Sequence, residues 1–582
     1  MSTPRTAGNA WTRRFTRRGV IRAGALAGVG AAAAGLVGCS QRPSGDVNSA
    51  TSPGGGTSGS PLAGGTPKYG GKWVHSMATG NITSWDPYKS ANGNAQYTGL
   101  IWDLLFSADP KTMALTPGLV ESYEEVELGL HYILHVRKNA VWEDKAPTNG
   151  RPVDAEDVAY NLRYASGLET PGAAASIVRS STYTGIKSAR AIDATTVELK
   201  LSQPNAGILF ATADQRQRVI PKEMPDKLKF EDSTRAPASG PFLMKEFNQG
   251  VGASYVRNPK YWGTTKNGHK LPFLDSVEFR AYGDEASLVA ALLSGNIHMM
   301  QPGNTAFASL KAQNRKDIAT YSSDWRYYDT FYINGKRFPD PRVWLAVQRM
   351  IDYKDLGDTC HLGDFNLSGP IDSAFPEAYQ SSEIEKMPGY NPATKAADIQ
   401  AGKQMLAAAG FPDGEGFKME WFAPSTSTAS AYLSSITRVQ QQFKPLLPKM
   451  NFTINTTPNP TWPVTRNWDV ASYTVYDGPN VRLALSQLQT GASRNYGSYS
   501  NAEVDALITK AFATPQSELK PLVRQIEDIL LKGCPQLIWD SPKLIFAAQS
   551  KVKGFEELFG PGGDGSSLQH GTAIKSLWLA DA

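Results

Sequence analysis

The sequence predicts an α/β fold that is divided into two or more lobes. Its 582 residues exceed the length of a typical compact domain, and a composition that is 41% hydrophobic and 10% aromatic can form more than one core. From residue 271 onward, segments with strand character alternate with segments of helical periodicity. That alternation is typical of βαβ units, in which helices cover a mixed or parallel sheet.

The N-terminal region has the layout of an export signal. Residues 16–22 (TRRGVIR) contain a twin-arginine motif, residues 23–37 form a weakly apolar run, and residues 36–39 (LVGC) match a lipoprotein cleavage box. A membrane-spanning helix would need about 20 mostly larger apolar residues, and this run is shorter and rich in Ala and Gly. We therefore predict a twin-arginine lipoprotein signal peptide over residues 1–38. Lipidation of Cys39 would then hold the protein on the outer face of the cytoplasmic membrane, in the periplasm or at the cell surface.

The formal net charge depends on whether this signal is counted. The whole chain carries +5, but residues 1–38 contain six arginines and no acidic residue, so the chain from Cys39 onward carries −1. Net charge therefore gives no support for nucleic-acid binding. No later apolar run is long enough to cross a bilayer, so we expect the lipid to be the membrane attachment.

Residues 39–67 are predicted to be the lipidated cysteine and a flexible tether. They consist largely of Ser, Gly, Thr and Pro, contain no aromatic residue and cannot form a core. A Gly/Ser-rich chain of this length has a typical end-to-end distance of about 30 Å. The tether would therefore hold the folded part clear of the membrane.

Periodicity and capping residues predict the elements of the first half of the folded chain. Leu130 to Val136 alternates in the manner of a strand with one buried face. Asp154, with Asp157 three residues later, is a candidate helix N-cap. The predicted elements are, in order, a strand start at 70–74, a helix over 97–105, a strand over 130–136, a helix after Asp154, a strand over 196–201 and a hairpin over 242–257.

The second half contains two strand–helix–strand segments. Gly410 directly follows an apolar stretch and is a candidate helix C-cap, since glycine tolerates a positive φ. The predicted elements are strand 277–281, helix 285–293 and strand 297–300, then strand 418–422, helix 429–447 and strand 452–456.

Cysteine and histidine spacing does not predict a metal site. Cys360 and Cys534 could form a disulfide in an exported protein, although the sequence does not show whether they meet. His131 and His135 lie on one predicted strand about 13 Å apart, which is too far to share one metal ion. We therefore predict no metal and no cofactor.

A series of short motifs runs through the folded part in a fixed order. The motifs are SWDP (84–87), IWDLL (101–105), TPGLVESY (116–123), YILHVRKNAVWED (132–144), RPVDAEDV (151–158), SGPF (239–242), RNPKYW (257–262), SGNI (294–297), FYIN (331–334), DPRVWLA (340–346) and LAAAGF (406–411). In this order, and over most of residues 70–545, the chain resembles the family 5 extracellular solute-binding proteins. These are the peptide-binding and nickel-binding components of ABC importers.

The resemblance implies a two-lobed, periplasmic-binding-protein-like clamp with mixed sheets, two hinge crossings and an extra subdomain on lobe 1. We expect crossings near Asp324 and Ser541. The implied boundaries are residues 68–324 for lobe 1, including an extra subdomain at about 101–213, residues 325–541 for lobe 2, and residues 542–582 for a C-terminal return to lobe 1.

The implied function is that of an extracytoplasmic receptor and not of an enzyme. A solute such as a peptide would contact both lobes only when they close, so that binding shifts the population toward a closed form that a permease can recognise. The implied partners are the solute and the permease and ATPase of an ABC importer. We expect the receptor to be a monomer.

The resemblance also implies a residue for the amino end of a peptide. In peptide-binding relatives an acid late in the second lobe receives the α-amino group of the ligand, and residues 468–479 (WDVASYTVYDGP) look like that strand and loop. Asp477 is the matching acid, and charge-assisted hydrogen bonds would hold an ammonium group there. By propensity alone, Asp-Gly-Pro at 477–479 is a turn sequence, and that interpretation stays open.

Aromatic residues near the implied cleft are further candidates for ligand contact. Trp462 matches the position of a cleft tryptophan in relatives, Tyr476 adjoins the candidate acid, and Trp325 and Tyr327 lie at the first crossing. Each of them could instead fill a core. On a strand, only one of Tyr327 and its neighbour Tyr328 would face the ligand.

Two polar candidates complete the predicted site. Asn94, before the first helix, could line the entrance or simply cap that helix. Relatives that bind a peptide carboxylate can place an arginine where Ala471 and Ser472 stand here. Arg482 and Arg494 are nearby substitutes, and by default both would be exposed surface residues.

Three alternatives stay open at the level of sequence. The same fold could bind an oligosaccharide through stacking on some of the 13 tryptophans, or it could bind a nickel or other metal chelate. The chain could also be a secreted hydrolase, although it lacks a Gly-x-Ser-x-Gly elbow. A pair of carboxylates about 5–5.5 Å apart, as in a retaining glycosidase, is left open by sequence alone.

Overall fold

Two large β-sheets organise the protein. The computed structural model describes residues 65–77, 84–89, 95–109, 112–169, 177, 180–224, 233–323, 327–424, 429–457, 467–476, 478–492, 494–555, 558 and 571–582. The strands are, in chain order, β1 (Lys72–Met77), β2 (Phe106–Ala108), β3 (Leu115–Pro117), β4 (Val120–Glu127), β5 (His131–Val136), β6 (Ile186–Ala191), β7 (Thr196–Leu201), β8 (Phe242–Asn248), β9 (Gly252–Arg257), β10 (Ser276–Ala281), β11 (Met299–Met300), β12 (Ile318–Ser323), β13 (Tyr327–Ile333), β14 (Phe365–Asn366), β15 (Lys418–Pro424), β16 (Asn451–Thr457), β17 (Val470–Tyr476), β18 (Gln536–Pro542), β19 (Leu544–Gln549), β20 (Val552–Lys553) and β21 (Trp578–Leu579).

Helices occupy much of the chain between these strands. The α-helices span Ala95–Ile101, Ala155–Ser166, Ile208–Ala211, Glu285–Leu293, Asn304–Ala312, Pro341–Met350, Tyr353–His361, Ser381–Ile384, Lys395–Ala408, Ala429–Leu446, Val481–Ser486, Ala502–Phe512 and Leu519–Leu530. Short 3-10 helices span Ser180–Tyr183, Ser233–Arg235, Pro392–Thr394, Pro412–Gly414, Gln516–Glu518 and Ile574–Ser576.

Lobe 1 is built on a mixed sheet with the strand order β12-β19-β11-β1-β10-β9-β8. β1 lies inside this sheet and is parallel to β10 and β11. The successive residues Trp73, Val74 and His75 are all buried, although their side chains alternate between the two faces. Burial on both faces is expected of a parallel strand that is covered by other elements on both sides.

An extra subdomain of lobe 1 contains the antiparallel sheet β4-β5-β7-β6, against which the helix Ala155–Ser166 packs. The helix begins at a reciprocal capping box, as predicted: Asp154 accepts a hydrogen bond from the backbone N–H of Asp157 (2.9 Å), and Asp157 accepts one from that of Asp154 (3.1 Å). The core of this subdomain is continuous with the hydrophobic cluster around Trp73. The subdomain is therefore part of lobe 1.

Lobe 2 is built on the mixed sheet β14-β18-β13-β17-β15-β16. β15 and β16 are parallel and are joined by the helix Ala429–Leu446, which confirms the predicted βαβ unit. Trp421 on β15 is buried, and its ring packs against Phe331 and stacks on Phe452 at 5.6 Å between centroids. Lobe 2 therefore has a core of its own.

The chain passes between the two sheets twice. It leaves the first sheet after Ser323 and enters the second at Tyr327, and it leaves the second after Pro542 and enters the first at Leu544. Asp324 lies outside the described residues. As domain limits, the boundaries given by the sequence stay predictions.

The helix predicted over 97–105 is shorter in the structure, where it ends at Ile101. Leu104 and Leu105 are buried as predicted, but their carbonyl oxygens accept hydrogen bonds from the backbone N–H groups of Leu119 and Val120, both at 3.0 Å. The apolar stripe therefore continues in an extended segment, because pairing with residues 119–120 replaces the helical hydrogen bonds.

The other predicted elements agree with the structure within a few residues. The strand 196–201 and the helix 285–293 have the predicted bounds, and the hairpin 242–257 is formed by β8 and β9. The strand predicted at 297–300 is limited to Met299–Met300. Gly410 has a φ of +97° two residues after the helix Lys395–Ala408, as a helix-ending glycine requires.

The two cysteines of the folded part are not joined to each other by a disulfide. Cys360 is half-buried and Cys534 is buried, and burial raises the pKa of the Cys534 thiol to about 12. The disulfide that the sequence left open is therefore not formed. Among the helices that the structure describes, none combines the length and the apolar character that crossing a membrane requires.

Candidate functional site

The candidate site lies at the edge of the second sheet where the chain crosses between lobes. β13 begins at this edge with Tyr327, and the antiparallel β17 ends there with Tyr476. These two residues are direct register partners, so the backbone brings together two of the residues predicted to contact a ligand. Antiparallel register partners have Cβ atoms about 4.5–5.5 Å apart.

Strands of the first sheet also end where the chain crosses between the lobes. β1 is parallel to β11, β11 is antiparallel to β19, and β19 is antiparallel to β12. β1 and β12 therefore run in the same direction, and both end at the edge from which the chain crosses.

Four of the predicted ligand residues lie outside the described residues: Trp325, Asn94, Trp462 and Asp477. Tyr327 and Tyr476 are described by their backbone only. Gly478, directly after the candidate acid, has a φ of +78°, as a turn in this position requires. Contact of these residues with a ligand stays a prediction.

Arg482, the remaining predicted ligand residue, is buried and not exposed as its default interpretation required. Its guanidinium donates to the carbonyl of Ala511 (2.9 Å), to the side chain of Gln516 (2.6 Å) and to the carbonyl of Thr514. Burial lowers the pKa of this guanidinium to about 10. Its contact with a ligand stays a prediction.

Arg494 is buried as well, so its default interpretation as a surface residue was also wrong. Ala471 and Ser472, which stand where some relatives have an arginine, are buried in β17, and Ser472 accepts a hydrogen bond from the indole N–H of Trp421 at 2.7 Å. No guanidinium group is therefore available at these two positions for the carboxylate of a peptide.

Polar side chains connect the two lobes next to the crossings. Asp364 of lobe 2 accepts a hydrogen bond from the hydroxyl of Ser322 in lobe 1 (3.1 Å), and its other oxygen lies 3.4 Å from the ammonium of Lys543. We call these three residues the hinge tie. Ser322 and Lys543 flank the two crossings, so one carboxylate interacts with both connecting segments.

Each of the two strand histidines lies beside a glutamate on a neighbouring strand. His131 lies 3.3 Å from Glu198, and His135 lies 3.0 Å from Glu124. No group of three or more potential metal-binding side chains occurs among the residues that the structure describes.

Sequence reasoning missed the hinge tie and a second lobe–lobe contact that involves Ala206, Leu483 and Phe512. In this contact the backbone N–H of Ala206 donates to the carbonyl of Phe512 at 2.9 Å. The partners are far apart in the sequence, and nothing in their local pattern signals a contact. Only the pairing of the two lobes brings them together.

Comparisons with known proteins agree with this architecture. The sequence profile of the "Bacterial extracellular solute-binding proteins, family 5 Middle" matches residues 114–497, which is more than half of the chain. The glutathione-binding protein GsiB of Salmonella typhimurium is 25% identical over 491 residues, which cover 82% of this chain and 90% of that protein.

Two solved structures share the fold. The periplasmic binding protein DppA of Helicobacter pylori, in complex with the peptide STSA, has a TM-score of 0.73 and 21% identity, and the match covers 88% of this chain and 99% of that one. OppA of Haemophilus influenzae, in complex with RPPGFSPFR, has a TM-score of 0.71 and 18% identity with the same coverage. These similarities confirm the predicted two-lobed periplasmic-binding-protein fold.

Proposed function

The chain belongs to family 5 of the bacterial extracellular solute-binding proteins, and we propose that it captures a peptide or a similar small solute between its lobes and delivers it to an ABC importer. The family and the fold are those of solute-binding receptors. The cargo, the ligand contacts and the membrane anchor are the proposed parts. We propose further that the receptor acts as a monomer without a cofactor and catalyses no reaction.

The observation that supports this proposal best is the meeting of both sheets at one edge. The chain crosses twice at that edge, and the β13–β17 ladder ends there with Tyr327 beside Tyr476. A solute held there would contact both lobes only after closure, so binding would favour the closed form.

The proposed ligand is one that carries a free ammonium group. Asp477 directly follows Tyr476 and would receive this group. The side chains of Trp325, Tyr327, Trp462, Tyr476 and Asn94 would line the site. No arginine stands at Ala471 or Ser472, so we propose that the carboxyl end of a peptide contributes less to the affinity than its amino end.

Calorimetric titration with modified peptides tests this proposal. The probes are the peptide STSA and glutathione, each free, N-acetylated and C-amidated. Acetylation should weaken binding roughly 10- to 100-fold, since charge-assisted hydrogen bonds contribute about 1.5–3 kcal/mol. Amidation should change the affinity by less than about threefold.

Variants separate the ammonium contact from general effects of charge. Asp477→Asn should abolish the difference between the free and the acetylated peptide, whereas Asp358→Asn, which changes an exposed carboxylate of lobe 2, should preserve it. Equal affinity for both peptide forms would exclude the ammonium contact. Binding of oligosaccharides or of nickel chelates in place of every peptide would select one of the alternative cargoes.

The N-terminal motifs support a proposed route to the membrane. We expect export through the twin-arginine pathway and lipidation at Cys39 in the periplasm or at the cell surface. Cys39→Ser should release the exported protein from the membrane fraction, and the double change Arg17→Lys and Arg18→Lys should keep it in the cytoplasm. Unchanged fractionation of either variant would contradict the corresponding step.

Native mass spectrometry of the purified protein tests the stoichiometry and the cargo together. The expected species is a monomer with one retained solute, because a closed clamp releases its ligand slowly. Recovery of an intact solute after incubation supports a receptor. Recovery of cleavage products would instead support the hydrolase alternative.

A further inference from the structure

Far from the hinge tie along the sequence, the two lobes meet at a second place, which we call the rim contact. It consists of Ala206 and Gly207 from lobe 1 and of Arg482, Leu483 and Phe512 from lobe 2. The backbone N–H of Ala206 donates to the carbonyl of Phe512 at 2.9 Å. A backbone hydrogen bond between lobes requires that the two surfaces touch directly.

Leu483 is the apolar part of the rim contact. It is 4% exposed and belongs to the hydrophobic cluster whose other members all come from lobe 1. Leu485, two residues later on the same short helix, packs instead into a cluster of lobe 2. The helix Val481–Ser486 therefore buries one side in its own lobe and the other side in the opposite lobe.

Arg482 and Gly207 determine how closely the lobes approach. A Cβ atom at Gly207 would lie 3.2 Å from the Cβ and the Cδ of Arg482, which is tighter than an ordinary van der Waals contact. The guanidinium of Arg482 is held by Ala511 and Gln516 within lobe 2. The apolar stem of the arginine therefore faces lobe 1, and a side chain at position 207 would press against it.

We propose that the rim contact is a closure latch, which forms when the lobes close and sets the affinity for the solute through Ala206, Leu483 and Phe512, none of which is a predicted ligand residue. This inference rests on the proposed function, because it assumes that the lobes open. Opening would expose Leu483 to water, so the contact contributes to the free energy of closing. The apparent affinity scales with the fraction of the receptor that can close, and residues of the latch therefore act on affinity from outside the ligand site.

The first experiment tests Leu483→Ala against Leu485→Ala with STSA and glutathione as probes. Leu483→Ala should weaken binding about tenfold or more, mainly through faster dissociation, and should leave the melting temperature of the solute-free protein close to that of the wild type. Leu485→Ala removes a core contact within lobe 2 and should lower that melting temperature. Equal melting temperatures for both variants, with unchanged affinity for Leu483→Ala, would overturn the latch, because Leu483 would then be an ordinary core residue.

A second experiment does not depend on the identity of the cargo. Partners in a backbone hydrogen bond have Cα atoms about 5 Å apart, within the disulfide range of about 4.4–6.8 Å, so Ala206→Cys with Phe512→Cys should allow a cross-link. Small-angle scattering on protein that has been stripped of solute should give a smaller radius of gyration for the oxidised double variant than for the reduced one. The two single variants control for pairing with Cys360 or Cys534.

Equal radii in the oxidised and reduced states would overturn the latch, since the contact would then persist in the solute-free receptor. A smaller radius after oxidation of the double variant would support the latch. If, in addition, neither probe bound to the wild-type protein, which can still open, the proposed cargo would be rejected. The two proposals therefore fail in distinguishable ways.

Discussion

Both lobes bury ionisable groups whose pKa values are shifted by burial, and two histidines of lobe 1 and one glutamate of lobe 2 form the clearest comparison. Lobe 1 contains His75 and His298, where burial lowers the pKa of each imidazole to about 4. Lobe 2 contains Glu527, where burial raises the pKa of the carboxyl to about 8. Each interior therefore favours the neutral form, and the two histidines and Glu527 are expected to respond to pH in opposite directions.

The lobes differ also in how well these groups are hydrogen-bonded. The Nδ1–H of His75 donates to the carbonyl of Met299 (2.8 Å), and Nδ1 of His298 accepts from the backbone N–H of Val74 (3.0 Å). One oxygen of Glu527 accepts from the backbone N–H of Tyr379 (2.8 Å), but the other has no partner among the described residues. The bond that His298 accepts therefore favours its neutral imidazole, the bond that His75 donates partly opposes the effect of burial on its pKa, and Glu527 keeps one oxygen without a partner among the described residues.

Buried acids do occur in lobe 1, and they differ from Glu527 in their partners. Asp86 accepts from the hydroxyl of Tyr164 (2.6 Å), and Asp103 accepts from the indole N–H of Trp262 (2.9 Å). Burial raises the pKa of both carboxyls, and these hydrogen bonds act against the increase. Glu527 differs from both aspartates in having a carboxyl oxygen without a partner among the described residues. We therefore expect the pH dependence of stability to be largest for Glu527.

The largest expected effect is that of Glu527→Gln. The folded pKa of Glu527 lies above its ordinary value of 4.5, so the folded state keeps a proton that the unfolded state releases, and stability decreases as the pH rises from about 4.5 to 8. A shift of this size corresponds to roughly 4–5 kcal/mol at most. Glutamine has no titrating group, so the variant should be more stable at pH 8 and should lose the pH dependence. Urea unfolding at each pH measures the free energy of unfolding. Hydrogen exchange in the helix Leu519–Leu530 measures the local stability around Glu527.

Glu503→Gln is the matched control, because Glu503 is exposed on a neighbouring helix of lobe 2. Lys395 does not interfere: burial lowers its pKa to about 8 from 10.5, so its contribution to stability changes only above pH 8. If Glu527→Gln had the same pH dependence of stability between pH 5 and pH 8 as the wild type, the carboxyl of Glu527 would not be the neutral group that its surroundings indicate.

The second-largest expected effect is a loss of stability at acidic pH that originates in lobe 1. The folded pKa of His75 is lowered from 6.5 to about 4, so the unfolded state binds protons that the folded state does not. Stability should therefore decrease as the pH falls from about 6.5 to 4, by roughly 3 kcal/mol from this residue. The protection factors of the β1 amides, which are corrected for the slower intrinsic exchange in acid, should decrease as the pH falls over this range, while those of Leu519–Leu530 should not follow them.

His75→Phe isolates the contribution of the imidazole. Phenylalanine fits the aromatic surroundings of Trp73 and Phe279 but leaves the carbonyl of Met299 without its donor. The variant should be less stable at pH 7 and should show a shallower loss of stability between pH 6.5 and 4. An unchanged slope would assign the acid sensitivity to other groups.

Local patterns predicted much of the fold, because the residues that cause it are close in sequence. Alternation predicted β5 to within one residue, and the pair Asp154 and Asp157 predicted a helix start, which has a reciprocal capping box. Leu104 illustrates the limit of such patterns. Its spacing fits a helix, but pairing with a segment some fifteen residues away, as Leu119 shows, makes it extended.

The candidate site was predictable only in part, for the same reason. The strand residues Tyr327 and Tyr476 meet because β13 and β17 pair, whereas the sequence placed each of them near the cleft without predicting that pairing. The burial of Arg482 depends on the turn after the helix Ala502–Phe512 and on the approach of lobe 1 at Gly207. From residue type alone, an isolated arginine is expected to be exposed. Its burial here results from tertiary contacts that the local sequence does not show.

The smallest expected effect is that of removing an uncharged helix cap in lobe 2, which serves as a reference because it does not titrate. Asn501 caps the helix Ala502–Phe512 of lobe 2, since its side-chain oxygen accepts from the backbone N–H groups of Glu503 (3.0 Å) and Val504 (3.1 Å). Asn501→Ala should lower the free energy of unfolding by about 1 kcal/mol, and by the same amount at pH 5 and pH 8, because an asparagine cap does not titrate. Urea unfolding at both pH values measures this. A loss that changed with pH would mean that the pH response of lobe 2 extends beyond Glu527 to the helix itself, whereas a constant loss assigns it to the buried carboxyl.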